Sequence, residues 1–504
     1  MRFIQRILFV VLILCGCQTS VPTDLTITPS DGPISSGIPT QPDIKQSPTF
    51  SYVLPMPGNP VGLPTPDEPH YTFSSPRDEE QYIVQSGDIL SSIAEQFSTT
   101  VDAIVVANEL MDPDSIEVGQ VLIIPRVVFE AVGPETKIIP DSELIYGPLA
   151  GNFNIEALIQ EKNGFLAGYT EGIRGQTKTS AEIILQIARD YSVNPRLLLA
   201  LVEYKSGWLT NPTPFDTINP FGYIDDWYIG LYRQLAWASI HLNSGYYRWK
   251  SNLVTEWVLV DGLVVPIAPS INPGTAGVQN FLAKLDPIDT WLNDVSPGGF
   301  LDIYYLLFGN PFTYAIEPLI PPYLIQPPMQ LPFHGGEFWS YTGGPHLAWD
   351  AGSPYAAIDF APPGEALGCV IVDDWVRAVA DGIILRTGEG IVILDMDMDG
   401  NEGSGWVILY MHIETRDRIE IGEYVNAGDV IGHPSCEGGI SSGTHVHIAR
   451  KFNGEWIPAD GNVPFNLDGW ISAGTGEEYV GTMTRDGVVV IAFEGNSPTS
   501  LIQR

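Results

Sequence analysis

The sequence predicts a multidomain protein: a small βααβ unit, an α-helical module, and a C-terminal all-β antiparallel domain. Three observations predict it. At 504 residues the chain exceeds what one hydrophobic core holds, about 250–300 residues. Apolar residues recur at helical spacing through Ile183, Ile184, Ile187 and Ala188, and again from Leu197 to Leu201. Beyond residue 333, short apolar–polar alternations are separated by Gly-led turns, the pattern of strands.

The first twenty residues, MRFIQRILFVVLILCGCQTS, carry Arg2 and Arg6 ahead of an apolar run from Ile7 to Leu14 that is too short to span a bilayer. The end of that run, Leu14-Cys15-Gly16-Cys17, resembles a bacterial lipobox. The resemblance implies cleavage before Cys17 and lipidation of Cys17. It also implies export to the outer face of a bacterial membrane, where more than one acyl chain gives stable anchoring. An ordinary secretory signal or an uncleaved anchor are the alternatives. Residues 1–16 are therefore expected to be signal peptide. Residues 17–79, rich in Pro, Ser and Thr without apolar periodicity, are expected to be a disordered stalk.

The βααβ unit is expected over 80–126. A strand at Tyr82–Val84 leads through Ser-Gly-Asp to Ile89, Ile93 and Phe97 at helical spacing; a second helix and a closing strand, Val121–Ile124, follow. Y-x-V-x-x-G-D-x-L-x-x-I-A through to G-x-x-L-x-I-P resembles a LysM domain, which implies binding to N-acetylglucosamine-containing glycan such as peptidoglycan. Residues 127–149 are read as a connector.

Residues 150–320 form the helical module, with two amphipathic helices broken at Asn194-Pro195. NPRLLLALVEYKSGW and INPGTAGVQNFL resemble motifs of lysozyme-like lytic transglycosylases, in which a Glu precedes the Ser-Gly. Lys205 stands there instead. A glycan cleaver needs a carboxylic acid to protonate the leaving oxygen, and Glu203, about 200° away around the helix, cannot substitute. The module is thus expected to be non-catalytic. Trp208, Tyr223 and Trp227 are either glycan contacts or core.

A Pro-rich linker, 321–333, precedes the all-β domain, expected over 334–490. His445 and His447 are two apart in SSGTHVHIAR, which places both on one face of a strand. Such a pair alone is a weak signal. Its neighbours AVADG, YMHI and YVNAGDVIG stand in the order of lysostaphin-like zinc endopeptidases of the LasA type, which the domain resembles over about 150 residues. The resemblance implies that His447 binds zinc and that His445 and His412 are catalytic. Asp359 matches a further ligand. The His usually four residues before it is replaced by Tyr355, whereas His346, thirteen residues before, fits the longer spacing of the beta-lytic branch, where the ligand comes from a preceding loop. Three N/O ligands to one Zn²⁺ would leave a fourth position open to water. Loss of the first ligand, giving an inactive homologue, is the alternative. His334 is a more distant donor, and His433, after a Gly in a turn, is expected to be exposed.

Cys369 and Cys436 are expected to pair outside the cytoplasm, or else to be two buried thiols. Asp395, Asp397, Asp399 and Gly400 make the front half of a calcium loop, but Trp406 stands where the closing Glu belongs; an acidic hairpin turn is the favoured reading and calcium the alternative. Net charge of −36 argues against a nucleic-acid partner. The expected function is a lipid-anchored peptidoglycan endopeptidase using one Zn²⁺ per chain. The alternative is an inactive wall-binding scaffold or an activator of another wall hydrolase.

Overall fold

The computed structural model describes residues 80–97, 99, 101–108, 110, 116–124, 132–364, 367–495 and 497–504. The signal peptide, Cys17 and the stalk lie outside them. Among the described residues no helix is long and apolar enough to cross a membrane.

The N-terminal unit runs β1 (Glu80–Ile83), α1 (Leu90–Gln96), α2 (Val101–Ala107) and β2 (Val121–Ile124), with β1 and β2 antiparallel. Val84, Leu90, Ile93, Ile104 and Leu122 fill its core, and the Asn108 amide binds both backbone groups of Ile123, tying α2 to β2. Ile89, expected on the buried stripe, is exposed, because α1 begins one residue later and turns Leu90 inward.

The helical module comprises α3 (Asp141–Leu144), α4 (Ile155–Lys162), α5 (Ser180–Asp190), α6 (Pro195–Ser206), α7 (Leu231–Lys250), α8 (Pro273–Ala283), α9 (Ile288–Asp294) and α10 (Phe300–Phe308). Two hairpins interrupt it, β3 (Thr170–Ile173) with β4 (Gln176–Thr179), and β5 (Glu256–Val258) with β6 (Val264–Pro266). A capping box between Thr179 and Glu182 starts α5. Asn194 caps α6 with Pro195 in its first turn, and Gly207, at φ 68°, ends it. Trp208 is fully buried with its indole N–H on the Asp216 carbonyl, so of the three aromatics considered for glycan it is core.

The C-terminal strands are β7 (Phe338–Leu347), β8 (Tyr355–Ala361), β9 (Val376–Arg377), β10 (Gly382–Gly388), β11 (Ile391–Asp395), β12 (Trp406–Met411), β13 (Tyr424–Val425), β14 (Val430–Gly432), β15 (Val446–Phe452), β16 (Glu455–Trp456), β17 (Asn466–Leu467), β18 (Trp470–Gly474), β19 (Gly481–Arg485), β20 (Val488–Ile491) and β21 (Leu501–Gln503). The main sheet is ordered β13-β10-β11-β12-β15-β8-β7-β21, with β16 beside β15, and its pairs are antiparallel. Strands β11, β12 and β15 are buried on both faces. Val392, Leu394, Ile408, Tyr410 and Ile448 point to the domain's own core. Ile391, Ile393, Leu409, Met411 and Ala449 join the core of the helical module instead. One face of the C-terminal sheet is therefore roofed by helices.

Three expected boundaries change. The domain extends past 490, because β21 pairs with β7 as the sheet's edge. The stretch 321–333 is no free linker: Met329, Leu331 and Phe333 are buried, and Met329 bridges Leu467. The helical module begins before 150, inside the expected connector 127–149, because Ile138, Ile139, Leu144 and Tyr146 are buried in its core; β17-β18-β19-β20 form a second sheet.

Candidate metal centre and its groove

Register brings the site together. His447 on β15 stands directly opposite Asp359 on β8 and Met411 on β12. Its same-face neighbour Ala449 packs into the helical core, so the site looks toward the helical module. On the other side of β8, Gly343 opposes Asp359. A methyl group at Gly343 would stand 2.5 Å from Asp359 Oδ2, so glycine is what leaves room for the carboxylate. His346 arrives from β7 through a break in register, on a strand rather than the loop expected from the sequence.

His346 Nε2 lies 3.2 Å and His447 Nδ1 3.3 Å from Asp359 Oδ1, and the two nitrogens are 2.9 Å apart. The outer nitrogen of each ring meets a backbone carbonyl, which only accepts: His346 Nδ1 donates to Gly344 at 2.8 Å and His447 Nε2 to Ala348 at 3.0 Å. In the neutral imidazoles the inner nitrogens therefore both present lone pairs to a carboxylate oxygen. Asp359 Oδ1 is itself buried and accepts no hydrogen bond from the described residues. Three electron-rich atoms facing one point, each orientated from behind, is a donor set that fits one cation. The pKa directions show an anionic centre that draws positive charge toward it. Burial pushes the Asp359 carboxyl up, but the His346 and His445 imidazoles outweigh it and hold it well below the usual carboxylate range. Burial pushes His346 down, but Asp359 outweighs it and raises the net value. Burial lowers His447.

Two further imidazoles stand beside this set. His412, at the end of β12 with φ 64°, donates Nδ1–H to the Glu437 carbonyl at 3.0 Å; burial and then His445 push its pKa down to about 3. His445 meets the Gly443 carbonyl through Nδ1 at 2.7 Å and turns Nε2 toward Asp359 Oδ2, 3.7 Å away. The His412 and His445 ring centroids are 4.4 Å apart. With Nδ1 of each ring on a backbone carbonyl, Nε2 is the nitrogen on each that can serve an acid–base pair.

Cys369 and Cys436 are bonded, closing 67 residues of sequence separation. The bridge holds the turn that carries Glu437 and the Ser441 hydroxyl, 3.3 Å from His445 Nδ1. Replacing both cysteines by Ser should lower the unfolding free energy by about 2–4 kcal/mol. Guanidinium unfolding reads this directly, and an unchanged midpoint would show that the turn is held without the bridge.

Several sequence expectations fall elsewhere. His433 is buried, not exposed: Trp375 lies over its ring at 3.9 Å and Nδ1 meets the Asp374 carbonyl at 2.8 Å. His334 is exposed beside β7 and belongs to no donor cluster of the described residues. The Asp395, Asp397 and Asp399 carboxylates lie within 4.8 Å of one another. Asp395 accepts the Met398 and Gly400 amides and Asp399 accepts from Ser404 and Asn401, the bonds of an acidic turn; calcium finds no support. Burial, then Asp395 and Asp399, push Asp397 up to about 8. Lys205 pairs with Asp286 at 2.8 Å and Asp294 at 3.7 Å, and Glu203 is spent on the Leu209 and Thr210 amides. One contact escaped the sequence reading: Tyr479, from the turn between β18 and β19, stacks on His346 with centroids 4.3 Å apart and planes at 20°. No local pattern marks it.

A groove of ≈ 1610 Å³ runs past these residues between sheet and helices. Leu185, Arg189 and Tyr232 line its helical wall, with Trp349 and Asp350 at the junction. Salt links close the junction: Arg386 reaches Asp190 at 2.5 Å and Glu402 at 3.1 Å, Lys451 reaches Glu402 at 3.4 Å, and Tyr191 donates to Asp350 at 2.8 Å.

Comparison with known proteins agrees with this division. Residues 82–125 match the family model described as LysM domain, and residues 137–322 match that described as LasA, N-terminal domain. Over 348 residues the chain is 24% identical to Protease LasA of Pseudomonas aeruginosa, covering 64% of this chain and 75% of that protein. It is 27% identical over 159 residues to the beta-lytic metalloendopeptidase of Achromobacter lyticus, covering 30% of this chain and 39% of the relative. Among solved structures, the M23 metalloprotease pseudoalterin aligns at 25% identity with a TM-score of 0.29, covering 35% of this chain and 98% of that one. The chain thus carries a LysM domain followed by a segment of the LasA N-terminal type, and over 348 residues it is similar to Protease LasA.

Proposed function

We propose that this protein is an exported zinc metalloendopeptidase that hydrolyses peptide cross-links or interpeptide bonds of peptidoglycan. The observation that carries the reading is the convergence of two neutral imidazole nitrogens on an otherwise unbonded, buried carboxylate oxygen. His346, Asp359 and His447 would hold the metal. Bound there, Zn²⁺ would supply a Lewis acid for the scissile carbonyl and lower the pKa of a water toward about 7.

His412, kept neutral by burial and by the neighbouring imidazoles, would present Nε2 as a hydrogen-bond acceptor that orientates a water. His445, with its ring 4.4 Å from that of His412, is placed to pass a proton to the leaving amine or to steady the developing oxyanion. The Gly443 and Glu437 carbonyls keep both rings orientated while they do so. The helical wall lines the groove beside the site and would contact a bound chain. The LysM domain holds the glycan, and a lipid on Cys17 would tether the protein to the envelope. With Lys205 in an ion pair, the helical module works as a non-catalytic relative of the lysozyme-like fold.

The test is digestion of purified cross-linked peptidoglycan by the chain lacking residues 1–17, with fragments resolved by mass spectrometry. New peptide termini that disappear with a chelator and return with zinc are expected. Wall binding without cleavage, and without bound zinc, would make the protein a scaffold.

A further inference from the structure

The groove, at ≈ 1610 Å³, exceeds the about 300–1,000 Å³ of a compact-ligand pocket, which leaves room for a polymer segment that continues beyond the rim. Its helical wall leads to such a continuation. Tyr232 lines the groove, and the next residue, Arg233, lays its guanidinium 4.3 Å from the ring centroid of Trp227. Arg233 Nη1 also donates to the Trp227 carbonyl at 2.6 Å, and the Trp227 amide donates to Asp225 Oδ1 at 2.7 Å. The indole is thus held from its backbone and from one cation, yet it remains 66% exposed. Tyr228 turns back toward the rim, where the groove-lining Asp350 raises its pKa after burial does.

We propose that Trp227 is a glycan-binding platform on the helical module, gripping the sugar strand whose attached peptide occupies the groove. A pyranose ring offers a flat face of C–H groups, whose positive edges suit the negative face of an indole. Its hydroxyls donate hydrogen bonds, and Asp225 and the exposed Asp226 supply acceptors beside the ring. The same carboxylates repel an anionic partner such as a phosphate or an acidic lipid surface. A purely apolar partner would bury Asp226 without compensation. An uncharged sugar polymer meets all of these conditions. The assignment of the peptide to the groove rests on the function proposed above; the sugar contact does not.

The experiment compares the parent chain with Trp227→Ala and Trp227→Phe in sedimentation with peptide-free glycan strands. The LysM domain is common to all three, so its share of the affinity cancels in the ratio. Trp227→Ala should bind roughly fivefold to tenfold more weakly, with Trp227→Phe between. A second arm measures hydrolysis of a glycan-free cross-linked peptide, which Trp227→Ala should leave unchanged. Equal glycan affinities, or loss of the peptide activity in Trp227→Ala, would overturn the proposal. Failure of the parent to cleave the peptide would count against the peptidase reading alone, because the affinity ratio still decides the platform.

Discussion

Asp359→Asn is expected to abolish hydrolysis and to weaken zinc binding by at least about 100-fold, beyond the usual cost of losing an outer-sphere partner. The amide keeps the shape of the carboxylate, so Gly343 and the β8–β15 register have no reason to shift. What changes is charge. Asp359 is the anion among the three donors, and it holds His346 in place electrostatically. Metal analysis after dialysis, with circular dichroism as the check on folding, separates loss of metal from loss of structure. An Asp359→Asn protein that keeps stoichiometric zinc and activity would remove this residue from the site, and the donor-set argument with it.

The second large effect is on stability. Arg386→Ala should cost about 3–5 kcal/mol, because it strands the buried Asp190 carboxylate and leaves the buried Glu402 with Lys451 alone. Asp190 comes from α5 and Glu402 from the loop between β11 and β12, and their side chains are 5% and 4% exposed. Burial pushes Glu402 up, but Arg386 and Lys451 outweigh it and hold its carboxyl below the ordinary range. A depressed carboxylate pKa contributes stability that is present above the unfolded value, about 4.3, and lost as pH falls through the folded value. The gap between parent and variant should therefore be full at pH 7 and narrow below about pH 4. Urea unfolding at both pH values reads it. A loss that is the same at pH 7 and pH 3 would mean that Arg386 acts through packing alone.

Much of the site was legible because its parts carry local signatures. His445 and His447 announce a shared strand face by their spacing, and Asp359 sits in an apolar strand where a carboxylate needs a reason. Cys369 and Cys436 were the two cysteines remaining in the body of the chain, and they are bonded. What escaped depends on contacts between distant segments. Arg386 and Asp190 are 196 positions apart, and neither neighbourhood distinguishes them from surface charge. Tyr479 reaches His346 from a hairpin that strand propensity alone leaves ambiguous. His433 looked like a turn residue, and only Trp375 folding over it decides its burial. The linker at 321–333 reads as punctuation because of its prolines, yet Leu331 and Phe333 between them are core.

The β7–β8–β15 register carries one more consequence. The three donors come from strands whose order in the sheet departs from their order in the chain, β15 arriving more than eighty residues after β8. No fragment that ends before residue 447 can assemble the cluster, however well its helices and first hairpin fold. A half-made or misregistered molecule is thus disarmed by its own topology. Under the function proposed above, the sheet is its own safety catch, released only when the last donor strand slots into place.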